Sequence, residues 1–167
     1  MLVVATARNI NLPNLTKYIK DIENARYTTY IGYTEKAKYP DGKQVAYIAY
    51  LNEYGGHNPP RPFLHRTAVL HYNEWTKLFQ NTLISVGLNA NGVYVAHKRV
   101  GIKGVGDVKK TIAEWSPSDP RYNKPSTIRR KARRARSGKG LVPIKPETAL
   151  IDSGVMISRV ESSTVKK

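Results

Sequence analysis

Residues Gly55-Gly56-His57-Asn58-Pro59-Pro60-Arg61-Pro62 form a corner that no regular element can cross. Pro59, Pro60 and Pro62 lack the amide proton, fix φ and disfavour helix at the residue before each ring. Gly55 and Gly56 permit the reversal. Any element before the corner ends there, and the next one begins stiffly. Beyond it, Phe63, Leu70, Trp75, Leu78, Phe79 and Leu83 recur near the 3.6-residue period, predicting a helix from Arg61 to about Val86 with Gly87 at its exit. Phe63 can plug the core at the helix start, as a hydrophobic staple does. Arg61 either reaches a carboxylate, with Glu53 the nearest in sequence, or remains a surface arginine.

The rest of the chain reads around this corner. Residues 12–25 predict a short amphipathic helix with Pro13 in its first turn and Leu15, Tyr18, Ile19 and Ile22 on one stripe. Tyr27 to Tyr33 is rich in β-branched and aromatic residues and reads as a strand. Tyr39-Pro40-Asp41-Gly42 is a turn, with proline presetting φ and glycine accepting a positive one. Gln44 to Tyr54 fits a strand or a short helix. A second long helix is expected from about Asn91 to Trp115, with Val105, Val108, Ile112 and Trp115 on one side. Gly101, Gly104 and Gly106 mark a kink or a close contact in its middle. Asp152-Ser153-Gly154 is a turn, and Val155 to Val165 reads as a C-terminal strand. The sum is an α+β fold over residues 1–167: two long helices packed on a small, mostly antiparallel sheet, with 116–146 as an extended basic arm before the last strand.

Charge gives the first functional constraint. Lys plus Arg is 28 against 12 acids, a net +16, which favours a polyanionic partner. Half of that excess lies in 16 residues without an acid: Lys124, Arg129, Arg130, Lys131, Arg133, Arg134, Arg136 and Lys139. Ser126 is the expected N-cap of a short helix, Thr127 to Arg136. Like charges at i, i+4 repel, so the stretch is expected to stay mobile or partly unfolded until it meets DNA phosphates or an acidic neighbour. The bland alternative is a solvated arm.

Other classes fare worse. The chain has no cysteine, which removes disulfides, thiolate zinc sites and cysteine nucleophiles together. No apolar run approaches the roughly 18 residues of a membrane helix. Met1 to Ala7 is too short for a signal peptide's apolar region, so a soluble, cytoplasmically made protein is expected. His57, His65, His71 and His97 form no metal-binding spacing, and Asp107 and Glu114 have no evident partner, so no catalytic or metal site and no cofactor is expected. A basic nuclease or toxin needs a catalytic cluster that this order of residues does not offer. Most of the 11 tyrosines fall in Tyr18 to Tyr54, at spacings that suit core and interface packing better than base stacking.

Two segments carry a family resemblance. Leu51-Asn52-Glu53-Tyr54-Gly55-Gly56, followed by Pro59-Pro60-Arg61-Pro62-Phe63-Leu64, is similar to the "N-E-F/Y-G … I-P-x-R-P-F" signature of tailed-phage virion-morphogenesis and minor-tail proteins. Trp115 and Pro117, then Ser126-Thr127-Ile128 with Lys131, then Leu150-Ile151-Asp152-Ser153-Gly154-Val155-Met156, resemble that family's "I-x-x-x-P … T-x-x-x-K … P-L-I-D-T-G-x-M" ending. The basic insertion before Pro143 and the early C-terminus depart from the pattern. The resemblance implies a structural, non-enzymatic tail-completion protein of the virion neck: a homo-oligomeric ring around the DNA channel. Its partners would be tail-terminator, head-closure or portal proteins, with non-specific contact to double-stranded DNA. Glu53, Gly55, Pro60, Arg61, Pro62, Phe63, Asp152 and Gly154 would then be fold-setting residues. The rival expectation is a free-standing basic nucleic-acid-binding protein.

Overall fold

The computed structural model describes residues 12–56, 59–115, 123–138, 146 and 148–167, without the side chains of residues 12–15 and 18. His57, Pro117, Lys139, Pro143 and the two ends of the expected arm, 116–122 and 139–145, lie outside the described residues. The order is α1 (Leu12–Glu23), β1 (Tyr27–Gly32), α2 (Val45–Tyr54), α3 (Phe63–Val86), α4 (Ala90–Ala113), α5 (Pro125–Arg136), α6 (Val155–Ser158) and β2 (Glu161–Lys166). The fold is α+β, with α3 and α4 packed against one two-stranded sheet. In that sheet β1 and β2 are antiparallel, from Tyr27 opposite Lys166 to Gly32 opposite Glu161.

The long helices form a hairpin because residues 87–89 leave room only for a reversal, and Asn89 Oδ1 caps α4 by accepting Gly92 N–H at 2.9 Å. Of the three middle glycines of α4, Gly101 and Gly104 admit the sheet, Gly104 also faces Trp75 of α3, 3.4 Å from where a Cβ would sit, and Gly106 faces open space. A Cβ on Gly101 would lie 2.9 Å from Ser162 Oγ and 3.1 Å from Thr29 Cγ2, and one on Gly104 would collide with Ile31. The Thr29 hydroxyl, half-buried at this junction, bonds Thr164 Oγ1 at 2.9 Å and His97 Nδ1 at 3.1 Å. One turn further along α4 the contact changes to hydrocarbon. Val108, Ile112 and Trp115 join Val45, Ala49, Phe63, Leu150, Ile151, Val155 and Met156 in the core.

Several expectations are corrected. Residues 45–54 resolve as helix; Val45 and Ala49, four apart, are the face sunk in the core. The C-terminal segment does not run as a strand from Val155. Gly154 sits at φ +81°, a left-handed conformation that opens the α6 turn, and β2 starts only at Glu161. On α3, Leu70 is exposed, while Thr67 and Thr82 take inward positions. They tolerate burial because each hydroxyl bonds its own helix: Thr67 to Phe63 O at 2.7 Å, Thr82 to Leu78 O at 2.8 Å. On α1, Ile19 and Ile22 face solvent.

Candidate functional site

The two segments that carry the resemblance meet in space. They wall a cavity of about 930 Å³ whose lining includes Asn52, Pro59 and Arg61 from the first, and Thr127, Lys131, Leu150, Asp152, Ser153, Gly154 and Met156 from the second. Tyr39 and Asp41 of the Tyr39–Gly42 turn, with Lys43 just after it, close one side. That turn forms as expected, with Gly42 N–H donating to Tyr39 O at 2.9 Å.

Each part of the first segment has a structural task. Pro62 occupies the N-cap position of α3 and brings no side-chain cap of its own. Glu53, buried, supplies one from the end of α2: its oxygens accept Leu64 N–H at 2.8 Å and His65 N–H at 2.9 Å. A carboxylate on the free amides of a helix start also meets the positive end of the helix dipole. Arg61 N–H donates to Asn52 O, which holds the corner against α2. Gly55 ends α2, Pro60 is exposed, and Phe63 is fully buried, as a core plug must be. Where a pairing of Arg61 with Glu53 was one expectation, the carboxylate caps α3, and Arg61 is buried in the cavity wall.

The basic stretch is a formed helix with two faces. Pro125, not Thr127, is its first residue; its ring presets φ and its missing N–H costs nothing at that position, so Lys124 rather than Ser126 stands at the N-cap. At 100° per residue, Thr127, Arg130, Lys131 and Arg134 share the side that lines the cavity, and Arg129, Arg133 and Arg136 share the opposite, exposed side. The expected mobility is overruled by tertiary anchors. Lys131 Nζ donates to Thr148 O at 2.7 Å and Ala149 O at 3.3 Å, and Arg134 Nη1 donates to Asp152 Oδ2 at 2.6 Å. Lys131 is thus withdrawn from the outward basic surface: it is 2% exposed, and a DNA backbone running along the helix cannot reach it. Lys124 and the arginines remain accessible.

Burial shapes the chemistry of the cavity. It pushes the Lys131 ammonium down to about 8, against the pull of Asp152 and helped by nearby Arg61 and Arg130. It pushes the Tyr39 phenol up to about 12, with Asp152 and Asp41 adding to the shift. Cations outnumber carboxylates in the lining: Lys43, Arg61, Lys124, Arg130, Lys131 and Arg134 against Asp41 and Asp152.

A second constellation went unread in the sequence. His71 and Glu74 on α3 meet Asp107 on α4, with ligand-type atoms all within 4.8 Å of one another. The cation there is Lys103, which donates to Asp107 at 2.5 Å and Glu74 at 3.3 Å, while Trp75 Nε1 donates to Asp107 Oδ2 at 2.8 Å. Asp107 therefore has partners after all. Burial raises its proton affinity, but the hydrogen bonds from Lys103 and Trp75 outweigh that and hold it below the usual carboxylate range. The i, i+3 and i, i+4 spacings of His71–Glu74 and Lys103–Asp107 were the available signals. The tyrosines divide. Tyr33 and Tyr39 pack on the core as expected, whereas Tyr47, Tyr50 and Tyr54 line one exposed face of α2.

Compared with protein families, curated proteins and solved structures, the chain matches none.

Proposed function

We propose that this chain is a structural subunit of a tailed-phage neck, one of several copies in a ring at the head–tail junction. The observation that carries the reading is a convergence in space. Two segments far apart in the chain, each resembling one family's signature, wall one cavity, and within them Glu53 caps a helix, Gly154 opens a turn and Phe63 plugs the core. Such motifs suit a protein whose output is a shape. Surface chemistry supports the same reading. Tyr47, Tyr50 and Tyr54 stand 57–71% exposed on α2, and Val69, Leu70 and Tyr72 stand 60–67% exposed on α3. Contiguous apolar side chains in water mark contact surfaces, and heterologous contacts between copies close rings. Among the described residues no helix is long and apolar enough to cross a membrane.

Cryo-electron microscopy of assembled particles tests the proposal. Density for this chain as a closed ring at the junction is the expected result, and particles lacking the chain overturn it. A second reading, a free nucleic-acid-binding protein, draws on the outward stripe of Arg129, Arg133 and Arg136. It requires the isolated monomer to bind a DNA duplex tightly, with affinity falling steeply between 50 and 200 mM salt, as is typical of several phosphate contacts.

A further inference from the structure

We infer that the cavity under α5 receives a carboxylate side chain from a partly apolar segment of a partner protein, held by Lys131. This deepens the assembly reading by naming the chemistry of one contact.

Lys131 carries the argument. Its ammonium has three N–H groups; two meet the carbonyls of Thr148 and Ala149, and among the described residues no carboxylate lies within ion-pair distance. A buried cation satisfied by carbonyls alone is costly unless an anion completes the site. The residue lines a cavity of about 930 Å³, room for several side chains, so an anion has a route to it. Arg61, also buried, stands in the same wall and adds positive charge beside Lys131.

The lining discriminates between anions. A duplex carries its phosphates on a convex rod, which meets protrusions such as the outer arginine stripe and not a recess. Asp41 and Asp152 also line the cavity. They repel either anion, but a phosphodiester brings acceptors only, whereas a peptide also brings amide donors that a carboxylate accepts. Ile48, Leu150 and Met156 supply apolar surface that inorganic phosphate cannot use.

The test is a heteronuclear NMR titration of the full chain with acetyl-Leu-Glu-Leu-amide. Parallel arms use acetyl-Leu-Gln-Leu-amide, sodium phosphate and a 12-base-pair duplex. The Glu peptide is expected to shift cavity amides and to bind about tenfold more tightly than the Gln peptide. Lys131→Met removes that preference. Arg130→Gln, on an exposed wall residue and so without risk to folding, weakens Glu-peptide binding severalfold. Equal binding of the two peptides, or cavity shifts with phosphate or duplex and none with the Glu peptide, overturns the inference. The failures are separable. A chain seen in the neck whose cavity ignores the Glu peptide sinks this inference alone, and a chain absent from particles that binds the Glu peptide sinks only the neck reading.

Discussion

Lys103 and Lys131 each stand where a helix meets the rest of the fold, and their surroundings are opposite. Lys103, at the seam of α3 and α4, has carboxylates on both sides; its hydrogen bond to Asp107 leads the effects that raise its proton affinity. Lys131, at the inner face of α5, has carbonyl dipoles and two neighbouring cations, and burial lowers its proton affinity. The seam thus answers its charges within the chain, as a scaffold should. The cavity holds a cation that the described residues answer only in part. The proposed docking of a partner carboxylate rests on that difference between the two lysines.

The largest effect should come from the core residue that lies in the chain between the cavity wall and the seam. Phe63 begins α3 and is fully buried in the core beside the cavity wall. Phe63→Ala is expected to cost about 3–5 kcal/mol of stability, read by urea denaturation. A single shifted transition means that seam and cavity unfold together; two transitions would show that they are separate units. Next comes the seam itself. Asp107→Ala leaves Lys103, His71 and the Trp75 indole N–H without their shared acceptor. The Lys103 side chain is 43% exposed and water screens it, so the expected cost is about 1–3 kcal/mol. Asp107 has a folded pKa below its ordinary 3.8. The stability it contributes is therefore present at neutral pH and fades as pH falls through the folded value, so wild type and variant should converge in acid.

How far these regions could be read from the sequence depends on how local their causes are. The stripe of Val108, Ile112 and Trp115 was legible because a helix repeats its buried face at a fixed spacing. The Tyr39–Gly42 turn was legible because proline and glycine act on their own backbone. Residues 45–54 stayed ambiguous because Tyr47-Ile48-Ala49-Tyr50-Leu51 is nearly continuous in apolar character, and only the partners of Val45 and Ala49 decide its form. The family-like segments were found as fold-setting residues, but their meeting across one cavity depends on how α5 docks. Burial of Lys131 was invisible for the same reason: a lysine among arginines reads as solvated, and what sinks it is a pair of carbonyls 17 and 18 residues further on. The seam quartet was missed because its charges come from two helices 29 to 36 residues apart in the chain.

The cavity lysine gives the next, smaller effect. Lys131→Met at pH 7 should leave stability within about 1 kcal/mol of wild type. Relief of a buried charge offsets two carbonyls left without a donor. The sharper observable is pH. Its folded pKa, about 8, lies below the unfolded 10.5, so the unfolded chain holds the proton longer. Wild type should then gain stability relative to the methionine variant as pH rises from 8 towards 10.5. A flat difference over that range would place Lys131 in water and erase its contrast with Lys103.

The smallest effect on stability, and the most telling about use, belongs to the outer stripe. Arg129, Arg133 and Arg136 are exposed and lie opposite the cavity face, so changing each to alanine should shift stability by less than about 0.5 kcal/mol. If the stripe lies against DNA, the triple variant should remove up to about three units from the slope of log affinity against log salt for a duplex, because each phosphate contact releases about one counterion. Glu-peptide binding in the cavity should be unchanged, since no stripe residue lines it. A triple variant that keeps the full salt slope would move any DNA contact to Lys124, Arg130 and Arg134 on the cavity side. The two faces of α5 would then compete for one polyanion, and the division of labour between them would fail.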